Sequence, residues 1–223
     1  MLPIAHLALF ALAANGSGTL QTLVSRIARV YGGNTRIHAV RETGTLESSR
    51  GVARTVRVFA APDRLRIEIL YPGGDGEVRV LDGRQGWRNG EPVDGPPRDA
   101  MVLQAARLDV PDILLRNREL LVDLGEVKRD GKIFRAIGIP TPGNLNLAIT
   151  VDPKTARIVR SEGAMPMGGG QVRFATDYSD FRTVHGALFA FHEVNFASGQ
   201  KTGETRLEKI ELLDSAPADA FRP

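Results

Sequence analysis

From Thr35 to Leu213 the chain repeats one pattern, in which short segments of alternating apolar and polar residues are separated by turn residues. Leu65, Ile67 and Ile69 alternate with Arg64, Arg66 and Glu68, and Leu145, Leu147, Ile149 and Val151 share one phase further on. A period of two is the spacing of a strand with one buried and one wet side. Ser49-Arg50-Gly51, Ala61-Pro62-Asp63, Pro72-Gly73-Gly74 and Asp82-Gly83 supply turns. Short strands with short connections predict an antiparallel meander, over 35–46, 52–61, 64–71, 76–82 and a piece around Trp87, then 120–129, 132–139, 144–152, 155–162, 171–182, 187–197 and 203–213. In the last segment Leu207 is out of phase with Ile210 and Leu212, and a β-bulge there would restore the phase.

Two stretches break the pattern. Leu20, Leu23, Val24, Ile27 and Val30 carry the spacing of one helix stripe, which predicts an amphipathic helix over 19–31, stopped by Gly32-Gly33. Between 91 and 118 a Pro-rich run leads into two more helices, 99–108 and 111–117. The expected class is mainly β (α+β), with about eleven strands and about three helices. A single sheet of that size with one apolar face is more than three helices can cover, so it is expected to curl around something.

Nothing in the composition demands a cut, and 18–223 is read as a single domain. Hydrophobic residues are 42% and charged residues 25%, enough apolar material for a core and too much for a disordered chain. The net charge is +3, with Arg scattered among acids rather than clustered, and aromatics are 6%, which argues against nucleic acid as a partner. There is no cysteine, so disulfides, thiolate metal sites and thiol catalysis are excluded. Residues 1–17 hold an apolar run ending in Ala11-Leu12-Ala13. That segment reads as a removed export signal, with the mature chain starting near Ala14, or else as a buried first strand or helix.

Signatures of chemistry are missing. His38, His185 and His192 have no ligand-cluster spacing, so no metal or other cofactor is expected. His192 shares a phase with Leu188, Ala190, Val194 and Phe196, as either a hydrogen-bonded core residue or a polar group in an apolar pocket. Ser179, Asp177, Asp180 and His185 lack a nucleophile-bearing turn. Asp75 and Glu77 sit in a Gly-rich tip that matches no phosphate loop. A non-enzymatic protein is expected. Met165 and Met167 beside Gly168-Gly169-Gly170 read as a mobile lip over an apolar mouth or as a plain hairpin loop.

From about Leu20 to Pro223 the chain resembles the LolA/LolB-like periplasmic lipoprotein carriers, in the broad sense that includes outer-membrane lipoprotein-sorting proteins. The resemblance rests on the helix ending before Tyr31-Gly32-Gly33, on the run from Ala61 to Glu68 followed by Val80 to Trp87, on Tyr178-Ser179-Asp180-Phe181 followed by His185-Gly186, and on the closing Asp219 to Pro223. It implies a single curved antiparallel half-barrel whose concave apolar face, lidded by helices, holds acyl chains or another lipid in the periplasm. The implied partners are a lipid or acylated protein, with inner- or outer-membrane donor and acceptor proteins. The alternative is an envelope sensor or scaffold that binds a partner protein. For a carrier, the expected lining is Val56, Val58, Leu65, Ile67, Ile69, Leu145, Leu147, Ile149, Val172 and Phe174, with Leu103, Leu114, Met165 and Met167 in the lid. Each methylene moved out of water contributes about 0.8 kcal/mol, so a carrier must cover most of an acyl chain. An internal cavity beneath 99–117 would separate a carrier from a fully packed module.

Overall fold

The computed structural model describes residues 17–33, 37–141 and 145–223. Helix α1 (Ser17–Val30) precedes six strands, β1 (Ala39–Ser48), β2 (Gly51–Ala60), β3 (Arg64–Leu70), β4 (Gly76–Asp82), β5 (Gln85–Arg88) and β6 (Glu91–Val93). Helices α2 (Pro96–Leu108) and α3 (Val110–Arg116) and a 3-10 turn follow. Seven strands complete the chain: β7 (Val122–Arg129), β8 (Lys132–Pro140), β9 (Asn146–Val151), β10 (Ile158–Met167), β11 (Gly170–Val184), β12 (Ala187–Ala197) and β13 (Gln200–Leu213). The segment read as an export signal lies, save for Ser17, outside the described residues.

All strands belong to one antiparallel sheet in the order β6-β5-β4-β3-β2-β1-β13-β12-β11-β10-β9-β8-β7. This corrects the expectation of about eleven strands in a curved half-barrel. Among the described residues there are thirteen, and β6 and β7 end the sheet without pairing with each other, so it stays open. The count rose mainly because β6 forms inside the Pro-rich run. Apolar residues lie on both faces, and part of the second face is covered as well. On one face Val58, Ala60 and Val80 pack under Ala220 and Phe221 of the C-terminal segment. On the other lie the helices.

Helix α1 sits there on the stripe read from the sequence. Leu20, Leu23, Val24 and Ile27 are buried against Val110 and Leu114 of α3 and against Ile137, Leu147, Ile149 and Val151 of the sheet. Helix α2 buries Met101 and Ala105 on Phe59, Leu65, Ile67 and Leu81. It touches β3, β4 and β5 in one half of the sheet and β9 and β10 in the other. A third group on this face joins Val40, Phe191, Leu207 and Ile210.

The phase slip in β13 is a bulge. Thr43 pairs with Lys209 and Gly44 with Leu207, so Glu208 is the extra residue, and Leu207 and Ile210 come to the same face. Gly44 faces this bulge closely enough that a Cβ would run into the carbonyl oxygen of Arg206. Gly44→Ala is therefore expected to destabilise the fold by about 1–3 kcal/mol through forced backbone movement. A urea midpoint unchanged from wild type would contradict that packing.

Met165 to Gly170 forms a two-stranded tip rather than a loose lip. β10 runs through Met167, β11 begins at Gly170, and Gly168 and Gly169 make the turn with φ of 57° and 82°. Met165 is buried opposite Val172, whereas Met167 is 50% exposed.

Candidate functional site

A cavity of about 140 Å³ opens beneath the α2–α3 junction. Its roof comes from Arg107 to Asp112, within the 99–117 segment, and its walls from Tyr31 and Gly32 just after α1, the Ile37–Val40 segment and strands β1, β2, β10, β11 and β12. Tyr31, Phe59, Tyr178, Phe181 and Phe189 bring five aromatic rings to it. Strict alternation from Tyr178 would turn Phe181 away. Asp180 takes a left-handed conformation, φ 50°, a region that Asp tolerates better than most residues, and beyond it Phe181 meets the cavity. Tyr31 and Tyr178 are fixed by hydrogen bonds: the Ile158 N–H donates to Tyr31 Oη at 2.9 Å, and Tyr178 Oη and Ser161 Oγ lie 2.8 Å apart.

The polar side of the cavity is an ion cluster that spans four adjacent strands. Arg57 of β2 reaches over β1 and β13 to Glu193 of β12, donating from Nη1 to Oε2 at 2.7 Å and from Nη2 to Oε1 at 3.0 Å. Its Nε lies 2.7 Å from Oε2 of Glu42, the residue directly opposite it on β1. The three side chains are only 11%, 6% and 9% exposed, and Glu42 and Glu193 both line the cavity. Burial works against the Arg57 charge, but the two carboxylates outweigh it and raise the pKa. The carboxylates are not equivalent. Burial would raise both, yet the charge and hydrogen bonds of Arg57 hold Glu193 below the usual range. Glu42 is pushed up, because burial and the neighbouring Glu193 outweigh the pull of Arg57.

Asp109, at the helix junction, has a buried side chain paired with Arg116. Burial pushes its pKa from 3.8 up to about 6 despite Arg116. The folded state therefore holds this proton more tightly than the unfolded chain does. The resulting stabilisation is complete below about pH 4 and is lost as pH rises through about 6, an effect of about 3 kcal/mol at 1.36 kcal/mol per unit. Asp109→Asn, which cannot titrate, should gain about 2–3 kcal/mol on wild type between pH 4 and pH 7. Urea unfolding at the two pH values measures the difference. A constant gap would mean that Asp109 is ionised throughout.

None of the apolar residues expected to line a groove lines this cavity. Leu65 and Ile67, with Ile69 beside them, are core beneath α2. Leu147, Ile149 and Leu114 are core beneath α1 and α3, and Leu145 is half-buried. Leu103 fills the space left by Gly163, where a Cβ would come within 3.2 Å of it. Val172 and Phe174 are half-buried and share the face of Met165. Val56 and Val58 are placed on the opposite face, because Val58 pairs with Arg66 and Val56 with Glu68, while Arg57 pairs with Ile67. Reading that strand from its valines hid the inward arginine. His192 is likewise turned away from the cavity, between Ser179 Oγ at 2.7 Å and Glu204 Oε1 at 2.9 Å. Among the described residues no group of three or more potential metal ligands occurs.

Comparison with family models and with curated proteins by sequence gives no match. Solved structures do match. A domain described as an outer membrane lipoprotein-sorting protein from Vibrio parahaemolyticus superposes with a TM-score of 0.56 at 10% identity, over 92% of this chain and 97% of that one. A LolA superfamily protein from Nitrosomonas europaea gives 0.56 at 12% identity, over 91% and 96%. The chain has the fold of the LolA superfamily. A DUF1329 family protein from Desulfovibrio piger gives 0.52 at 10% identity, over 94% and 98%. The resemblance read from the sequence thus holds at the level of the LolA-type fold. Among the described residues, no helix is long and apolar enough to cross a membrane.

Proposed function

We propose that the chain is a non-enzymatic periplasmic binding module, a carrier for a lipid or lipidated protein, and that its ligand enters beneath the α2–α3 junction. The observation that supports this reading is the cavity itself, an aromatic and aliphatic enclosure with Glu42 and Glu193 on its polar side. At about 140 Å³ it is the size of an apolar cavity that accepts a benzene molecule. It takes one end of an amphiphile, not a whole acyl chain, unless the helices move. A purely aliphatic end would leave the buried Glu42 oxygen that lacks an aligned hydrogen bond still without a partner. The end that enters is therefore a head group, while the apolar remainder runs out over half-buried residues such as Ile37 and Leu108. Native mass spectrometry of protein purified from cells should find co-purifying lipid. Protein that is empty and ignores added lipid or lipopeptide would contradict the reading.

A further inference from the structure

We infer that the head group this cavity accepts is an organic ammonium. The inference rests on the amphiphile-binding reading above and adds the chemistry of the head. Three observations point to it together.

The first is the distribution of rings. The chain has nine Phe, three Tyr and one Trp, and Tyr31, Phe59, Tyr178, Phe181 and Phe189 all line this one cavity. Ring faces attract cations, and most strongly where water is excluded. Of these five, only Phe181 already carries an arginine, Arg157 at 5.2 Å from its centroid, among the described cation–ring contacts.

The second is the charge balance. Glu42, Asp109, Asp112 and Glu193 stand in the wall or at its rim, and the guanidiniums that answer them are Arg57, Arg107 and Arg116. With Arg157 over Phe181 counted as well, the formal charges balance and the cavity holds no excess of positive charge that would repel a cation. Arg107 acts on Glu193, and Arg116 is held by Asp109, so neither leaves the cavity positive.

The third is an oxygen of Glu42 that lacks a hydrogen-bond partner. Arg57 spends both terminal nitrogens on Glu193 and offers Glu42 only Nε. Glu42 Oε2 and Arg57 Nε touch at 2.7 Å but do not form an aligned hydrogen bond. Glu42 is thus an acid nine-tenths buried, with one oxygen in no aligned hydrogen bond, in contact with a cation already committed elsewhere, and it faces the cavity. An ammonium between it and the rings gives that oxygen a positive partner and draws Glu42 into its ionised form. A carboxylate or phosphate head would meet Glu42 and Glu193 with like charge.

Isothermal titration calorimetry on the full chain separates the alternatives, using dodecyltrimethylammonium, dodecanol, dodecanoate and tetramethylammonium below micellar concentrations. The ammonium amphiphile should bind at least about tenfold tighter than the alcohol or the carboxylate. Glu42→Gln should bring it to the alcohol's level while moving the alcohol's affinity less than about twofold. If that variant does not fold, Phe189→Leu, which keeps apolar bulk and removes the ring, should lower ammonium affinity selectively. Equal binding of all three long-chain probes overturns the ammonium inference and leaves the amphiphile reading standing. Tetramethylammonium binding as tightly as its dodecyl analogue upholds the ammonium site and overturns the amphiphile reading. No binding by any probe overturns both.

Discussion

Arg57→Met is expected to lower unfolding stability by about 3–5 kcal/mol, the cost of leaving a buried charge without its partner. Methionine fills most of the arginine's path, so the loss comes from electrostatics more than from a void. Glu193, held ionised by two hydrogen bonds from Arg57, and Glu42, already pushed up, would then face each other across the sheet with no cation between them. Adding Glu42→Gln and Glu193→Gln to the variant should recover much of the loss, because neutral amides bury at lower cost than carboxylates. Urea midpoints for the single and triple variants measure both effects. A single variant within about 1 kcal/mol of wild type would mean that water reaches the cluster, as in an exposed ion pair.

Leu65→Ala should cost about 2–5 kcal/mol, combining lost transfer free energy with the void left behind. Leu65 is 1% exposed, directly between Phe59 on β2 and Leu81 on β4, with α2 above. It is a cleaner probe than Ile67, which pairs with Arg57 and so borders the ion cluster. The result also bears on function. If Leu65 lined an open groove, truncation would enlarge a space already accessible and cost about 1 kcal/mol or less, measured by the same urea titration.

The meander was readable because alternation and turn residues coincide along most strands, as at Leu65, Ile67 and Ile69, and the bulge in β13 announced itself as a slip between Leu207 and Ile210. The helix stripe of α1 was equally plain. The inward phase was not readable where both faces of a strand are apolar. Val56 and Val58 on one face of β2 compete with Phe59 and Ala53 on the other, and only pairing with β3 shows that the face shared by Arg57 and Phe59 is the one under α2. Glu193 has the same problem, between His192 and Val194. Its partner Arg57 is 136 residues away in sequence, and no local spacing announces such a pair. The cover that Ala220 and Phe221 give Val58, Ala60 and Val80 on the opposite face was hidden for the same reason.

Photo-crosslinking tests the cavity as the ligand site most directly. A dodecyltrimethylammonium analogue with a diazirine near its nitrogen, irradiated with the full chain and mapped by tandem mass spectrometry, should label Tyr31, Phe181, Phe189 or their immediate neighbours. Excess unlabelled amphiphile should remove the label. Competed labelling confined to other surfaces, such as the exposed Leu124 and Ile133 near the β7 edge, would contradict it.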